Sequence, residues 1–62
     1  MEPDRWYTKT QVAEYLNMST KTVERRIADG HIVASKFGQA VRINGRSVLE
    51  YVERMRVEPS DA

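Results

Sequence analysis

Apolar residues recur at helical spacing in three stretches of the chain, and a fourth stretch is enriched in β-branched residues. In the first, Val12, Ala13 and Leu16 form a narrow stripe, with Lys9, Gln11 and Glu14 off it. Thr8 has the chemistry of an N-cap, Gln11 is its capping-box partner, and Tyr7 and Val12 hold the staple positions around it. A short helix is predicted to begin at Lys9 and stop near Asn17, a residue that tolerates the left-handed backbone conformation. Ser19 restarts the pattern as a second cap with Met18 and Val23 as its staple pair. Val23 and Ile27 form the inward ridge of a second helix, and Gly30 lies just past its end.

Over residues 32–43 the β-branched content rises, and Gly38 and Gln39 form a two-residue loop with glycine first, as a type II′ turn requires. The predicted hairpin sets Phe37 opposite Ala40, Lys36 opposite Val41, Ser35 opposite Arg42 and Ala34 opposite Ile43. The face with Ala34 and Ile43, joined by Ile32, is expected to pack on the helices. Asn44 is a third cap, and Val48, Leu49, Val52 and Met55 then follow as an apolar stripe on a closing helix over residues 45 to about 56. Val52 is expected in the core, so that Val52→Ala opens a cavity. The expected organisation is an N-terminal arm (1–5), one domain (6–56) that is mainly α with a small β-hairpin, and a flexible C-terminal tail (57–62).

At 62 residues the core must be thin, because a chain of this size buries only about 60% of the surface it exposes when unfolded. There is no room for a deep catalytic cleft. The absence of cysteine excludes disulfides, cysteine-based zinc sites and thiol catalysis, and fits a reducing, intracellular home. No apolar stretch approaches the roughly 18 to 20 residues of a membrane span, and the acidic start is unlike a signal peptide, so a cytoplasmic protein with no membrane partner is expected. No nucleophile and base stand together, and there is no metal-ligand cluster or phosphate-binding glycine loop. The reading is therefore not an enzyme, with no cofactor, metal or small-molecule substrate. His31 is expected to be a solvated loop residue.

The net charge of +1 hides a segregation. Lys21, Arg25, Arg26, Lys36, Arg42 and Arg46 stand against only Glu24 and Asp29 in residues 19–46, a local net of +4, and both ends are acidic. Two short helices with a tight connection, the second basic on its outer face, make a helix-turn-helix, whose second helix enters the DNA major groove. With Val23 and Ile27 inward, Thr20, Lys21, Glu24, Arg25 and Ala28 fall on the outer half. Arg25 suits the O6 and N7 acceptors of guanine, Lys21 a base or a phosphate, and Glu24 a cytosine amino group. A solvated basic face is the alternative for this row.

Ser19 is a cap first, although the same helix end can receive a phosphate on its free amides. Thr22 suits either phosphate or its own backbone. Arg26 suits DNA or an acidic residue of the closing helix. Arg42 points away from the core and suits phosphate or the minor groove; Lys36 and the loop residue Gln39 are wing candidates beside it. Arg46 opposes the helix dipole in the first turn of the closing helix, which points to another partner such as a phosphate. Trp6, Tyr7, Tyr15 and Tyr51 are expected at the core or its edge. Phe37, at the hairpin tip, has three readings: folded back on the domain, which is favoured, a contact for a neighbouring protein, or a contact for DNA sugar.

Taken together, these positions resemble excisionase-type, MerR-like winged helix-turn-helix domains. The resemblance runs from Trp6 to about Met55. It is carried by Tyr7-Thr8, Val12-Ala13-Glu14-Tyr15-Leu16, Ser19-Thr20-Lys21-Thr22-Val23, Asp29-Gly30, Phe37-Gly38, Arg42-Ile43 and Leu49-Glu50-Tyr51-Val52. The chain departs from the family at Asn17, where glycine is frequent, at Arg26, where an apolar or aromatic residue is frequent, and at Gln39 and Ala40, where basic residues are frequent. The resemblance implies a winged helix-turn-helix fold, with Arg42 in the position of a wing arginine. It further implies a recombination directionality factor, in which adjacent copies bind repeated sites on double-stranded DNA, bend it and direct a tyrosine integrase towards excision. The alternatives are a small MerR-like transcriptional regulator and, from another class, a protein-interaction adaptor anchored by Phe37. The domain spans nearly all of the chain, which favours the first reading over the second.

Overall fold

A computed structural model describes residues 1–57. From residue 58 on, the expected C-terminal tail lies outside the described residues.

The caps act where the side-chain chemistry puts them. Thr8 Oγ1 accepts from the Gln11 N–H at 3.1 Å and Gln11 Oε1 accepts from the Thr8 N–H at 2.9 Å, closing a capping box on α1 (Lys9–Leu16). Asn17, at φ 56° and ψ 48°, turns the chain left-handed, and the Met18 N–H returns to the Ala13 carbonyl at 2.9 Å. Ser19 caps α2 (Thr20–Ala28), and Gly30, at φ 83°, follows its end.

A strand that the sequence pattern did not reveal, β1 (Trp6–Tyr7), precedes α1. It pairs antiparallel with the second strand of the hairpin, so that β1, β2 (Ala34–Phe37) and β3 (Ala40–Asn44) form a sheet in the order β1-β3-β2. The hairpin has the expected register, Phe37 opposite Ala40 through Ala34 opposite Ile43, and Gly38 has the positive φ its turn requires. Tyr7 and Ala34 both oppose Ile43 from its two sides, which defines the sheet face turned to the helices. Against it lie Val12, Ala13, Val23, Ile32, Val48 and Tyr51, the buried core.

The closing helix, α3, spans Gly45–Arg54, two residues short of the expected end, with Asn44 Oδ1 accepting from the Ser47 N–H at 3.1 Å as its cap. Its buried face corrects the sequence reading. Ser47, Val48 and Tyr51 are buried, whereas Val52 is 37% exposed and Met55, at the C-cap, is 50% exposed. Two polar groups turn the helix this way. Ser47 Oγ accepts from the Val33 N–H at 3.1 Å and donates to the Asn44 carbonyl at 2.9 Å, and the Tyr51 hydroxyl receives a hydrogen bond from α2. A pattern of aliphatic residues cannot register a serine as an inward position. Trp6 and Tyr15, expected at the core or its edge, are exposed; Tyr7 is half-buried.

The N-terminal arm lies over the start of α3. The Gly45 N–H donates to the Arg5 carbonyl at 2.9 Å, and a Cβ at position 45 would run into the Glu2 carbonyl and the Tyr7 ring. Glycine is required there by close approach.

Candidate nucleic-acid interface

Val23 is fully buried and Ile27 half-buried, so the fold turns Thr20, Lys21, Glu24, Arg25 and Ala28 outward along α2. Lys21 and Arg25 are one helical turn apart and stand in one row. Among the described residues, the side chains of Thr20, Lys21 and Arg25 carry no hydrogen bond or ion pair. Glu24 is engaged instead: its carboxylate meets Lys9 Nζ of α1 at 3.1 Å. That pair joins the two helices of the motif across their exposed edge, and it holds back the one anion in the row.

Ser19 Oγ accepts from the Thr22 N–H at 3.1 Å and lies 2.9 Å from the Thr22 hydroxyl. The Thr22 hydroxyl is thus bound to the cap side chain and not to its own backbone. The N–H groups of Thr20 and Lys21, in the first turn, have no carbonyl of their own helix to meet, so this end of α2 keeps donors aimed outward.

Arg26, one position further on, turns towards α3. Its Nε donates to the Tyr51 hydroxyl on α3 at 3.1 Å, and its Nη1 is 4.0 Å from Asp29 at the end of its own helix. The partner on the closing helix is therefore a phenol and not the acid expected there. Arg26 is half-buried, at a position where the family the sequence resembles often carries an apolar or aromatic residue.

On the wing, Arg42 sits on the sheet face opposite Ile43, with Nη1 donating to the Val41 carbonyl at 2.9 Å. Lys36 and Gln39 are exposed near the turn and bear no side-chain bonds among the described residues. Arg46 keeps different company. It meets Asp4 of the N-terminal arm at 3.4 Å and borders an open recess between α1 and α3 lined by Tyr15, Leu49, Val52, Glu50 and Glu53.

The structure thus gathers Thr20, Lys21 and Arg25 on one helix face and Lys36, Gln39 and Arg42 on the wing, and it gives Arg26 and Arg46 partners within the fold. Sequence reasoning missed Lys9, because nothing local to residue 9 announces a partner fifteen positions away. Among the described residues, no group of three or more His, Cys, Asp or Glu is arranged to hold a metal, and no helix is long and apolar enough to cross a membrane.

A tightly joined helix pair, an outward basic row on the second helix and a hairpin flanking them define a winged helix-turn-helix, the architecture of a small DNA-binding domain. A family model described as a helix-turn-helix domain matches residues 6–56, and the chain belongs to that family. No curated protein matches the chain. Its partner is double-stranded DNA.

Proposed function

We propose that this protein is a sequence-specific architectural DNA-binding protein that acts as an excisionase in the cytoplasm of a bacterial host. One observation carries the sequence-specific part: among the described residues Lys21 and Arg25 are free on the outward face of α2, while Glu24 beside them is drawn off by Lys9. In this reading α2 lies in the major groove, where Arg25 reads guanine and Lys21 reaches a base or a phosphate. The Thr20 and Lys21 amides and the Ser19 cap meet backbone phosphate at the end of α2, and Lys36, Gln39 and Arg42 follow the adjacent backbone or minor groove.

A domain this small touches few bases, so one copy binds weakly and adjacent copies on repeated sites supply the selectivity. The excisionase role, with a tyrosine integrase as partner and DNA bending as the means, rests on the likeness of Ser19-Thr20-Lys21-Thr22-Val23, Asp29-Gly30 and Arg42-Ile43 to that group of domains. An excision assay with the cognate integrase tests it: added protein is expected to raise the yield of excised product. Absence of stimulation, together with altered output from a neighbouring promoter, assigns the small transcriptional regulator instead.

A further inference from the structure

The outer face of the sheet holds two aromatic residues that the interface above does not use. Strand pairing sets Trp6 opposite Asn44, Phe37 opposite Ala40 and Ser35 opposite Arg42, so these six share the face turned away from Ile43. Trp6 comes from one edge of the sheet and Phe37 from the other. Their rings meet with centroids 5.3 Å apart at an interplanar angle of 86°, an edge-to-face contact. Both remain about half exposed, at 46% and 55%. The chain has one tryptophan and one phenylalanine, and the fold spends neither on its thin core.

By register, Arg42 lies on β3 between the residues that oppose the two rings, and it is the one ionisable group of the six. The face is therefore an apolar pair beside a cation, with no carboxylate among them. A phosphodiester strand has the complementary alternation, an anionic phosphate and then the apolar edge of a deoxyribose ring. The face is also continuous with the wing, through Phe37 and Arg42, which are both strand residues of the hairpin.

We propose that the Trp6–Phe37 pair is an apolar contact for the deoxyribose edge of the DNA backbone, set beside a phosphate met by Arg42. The proposal rests on the DNA-binding reading and adds the N-terminal strand to the DNA-contacting surface. The edge-to-face contact holds both rings in place before DNA arrives, so little side-chain freedom is lost on binding. The contact carries no base information; it adds affinity on every sequence and releases no counterions.

Trp6 is the only tryptophan, so tryptophan fluorescence, excited at the red edge of the band where the three tyrosines do not absorb, reports on this patch alone. The experiment titrates the full chain with a duplex that it shifts in a gel, following Trp emission and its quenching by acrylamide. The expected result is a blue shift of emission and a loss of quenching that saturate with DNA occupancy. Phe37→Ala, checked for folding by circular dichroism, is expected to weaken binding about three- to tenfold, with base preference and salt slope unchanged. Phe37→Leu keeps apolar bulk and is expected to retain most of the affinity. Selective DNA binding with Trp emission and quenching unchanged, and with Phe37→Ala binding as tightly as wild type, overturns the proposal and leaves the DNA-binding reading standing. Protection of Trp6 that follows protein concentration instead of DNA also overturns it, and assigns the patch to contact between copies. Failure to shift any duplex at low salt overturns the reading on which the proposal rests.

Discussion

Arg25 and Arg26 carry the same guanidinium, and the helical step of about 100° between them decides what each does. Arg25 faces solvent with no partner among the described residues, whereas Arg26 is held by Tyr51 and Asp29. Their alanine variants should therefore separate binding from stability. Arg25→Ala is expected to lose about 1 to 3 kcal/mol of specific DNA binding and relax preference at one base position, with its melting temperature unchanged. Arg26→Ala is expected to lower stability by about 0.5 to 1.5 kcal/mol through the lost hydrogen bond and stem packing, read by thermal or urea unfolding. Arg42→Ala should weaken binding to all sequences alike and reduce the salt slope by about one unit, measured by titration at several salt concentrations. The outward set on α2 was legible because two inward residues, Val23 and Ile27, fix the helix orientation. The partners of Glu24 and Arg26 were not, because Lys9 and Tyr51 are distant in sequence and their proximity is a product of the fold.

Among the elements, those whose ends are set by local side-chain chemistry were readable from the chain. Thr8, Ser19 and Asn44 cap the three helices as expected, and Gly38 turns the hairpin in the expected register. What escaped is what needs a partner to exist. A two-residue strand has no alternation to detect, so β1 is defined only by its pairing with β3. The rotation of α3 likewise comes from the Ser47 and Tyr51 hydroxyls, which no aliphatic periodicity reports. The consequence for stability is specific. Val48→Ala removes two methyl groups from a fully buried position and is expected to cost about 1.5 to 3 kcal/mol. Val52→Ala, at a position more than a third exposed, is expected to stay within about 0.5 kcal/mol of wild type. Urea unfolding of the two variants side by side checks both values, and equal losses would contradict the helix orientation described here.

For the whole molecule, the basic stretch at residues 19–46 contains both α2 and the wing, so the segregation of charge visible along the chain becomes a property of one region of the fold. The cations are then sorted further: Arg26 and Arg46 have partners within the fold, while Lys21, Arg25 and Lys36 remain free among the described residues. That sorting could not be read from charge counts, which weigh every arginine equally. A core of seven buried apolar residues among those described gives a thin margin of stability, and a ligand that binds only the folded state adds to it by mass action. The central claim, that this surface reads DNA sequence, is tested most directly by a gel-shift titration. Purified protein is added to DNA from beside its own gene, with an unrelated duplex as competitor, at two salt concentrations. A shift that resists the competitor and weakens steeply with salt is the predicted result; no shift at low salt, or one that the unrelated duplex abolishes equally well, would contradict it.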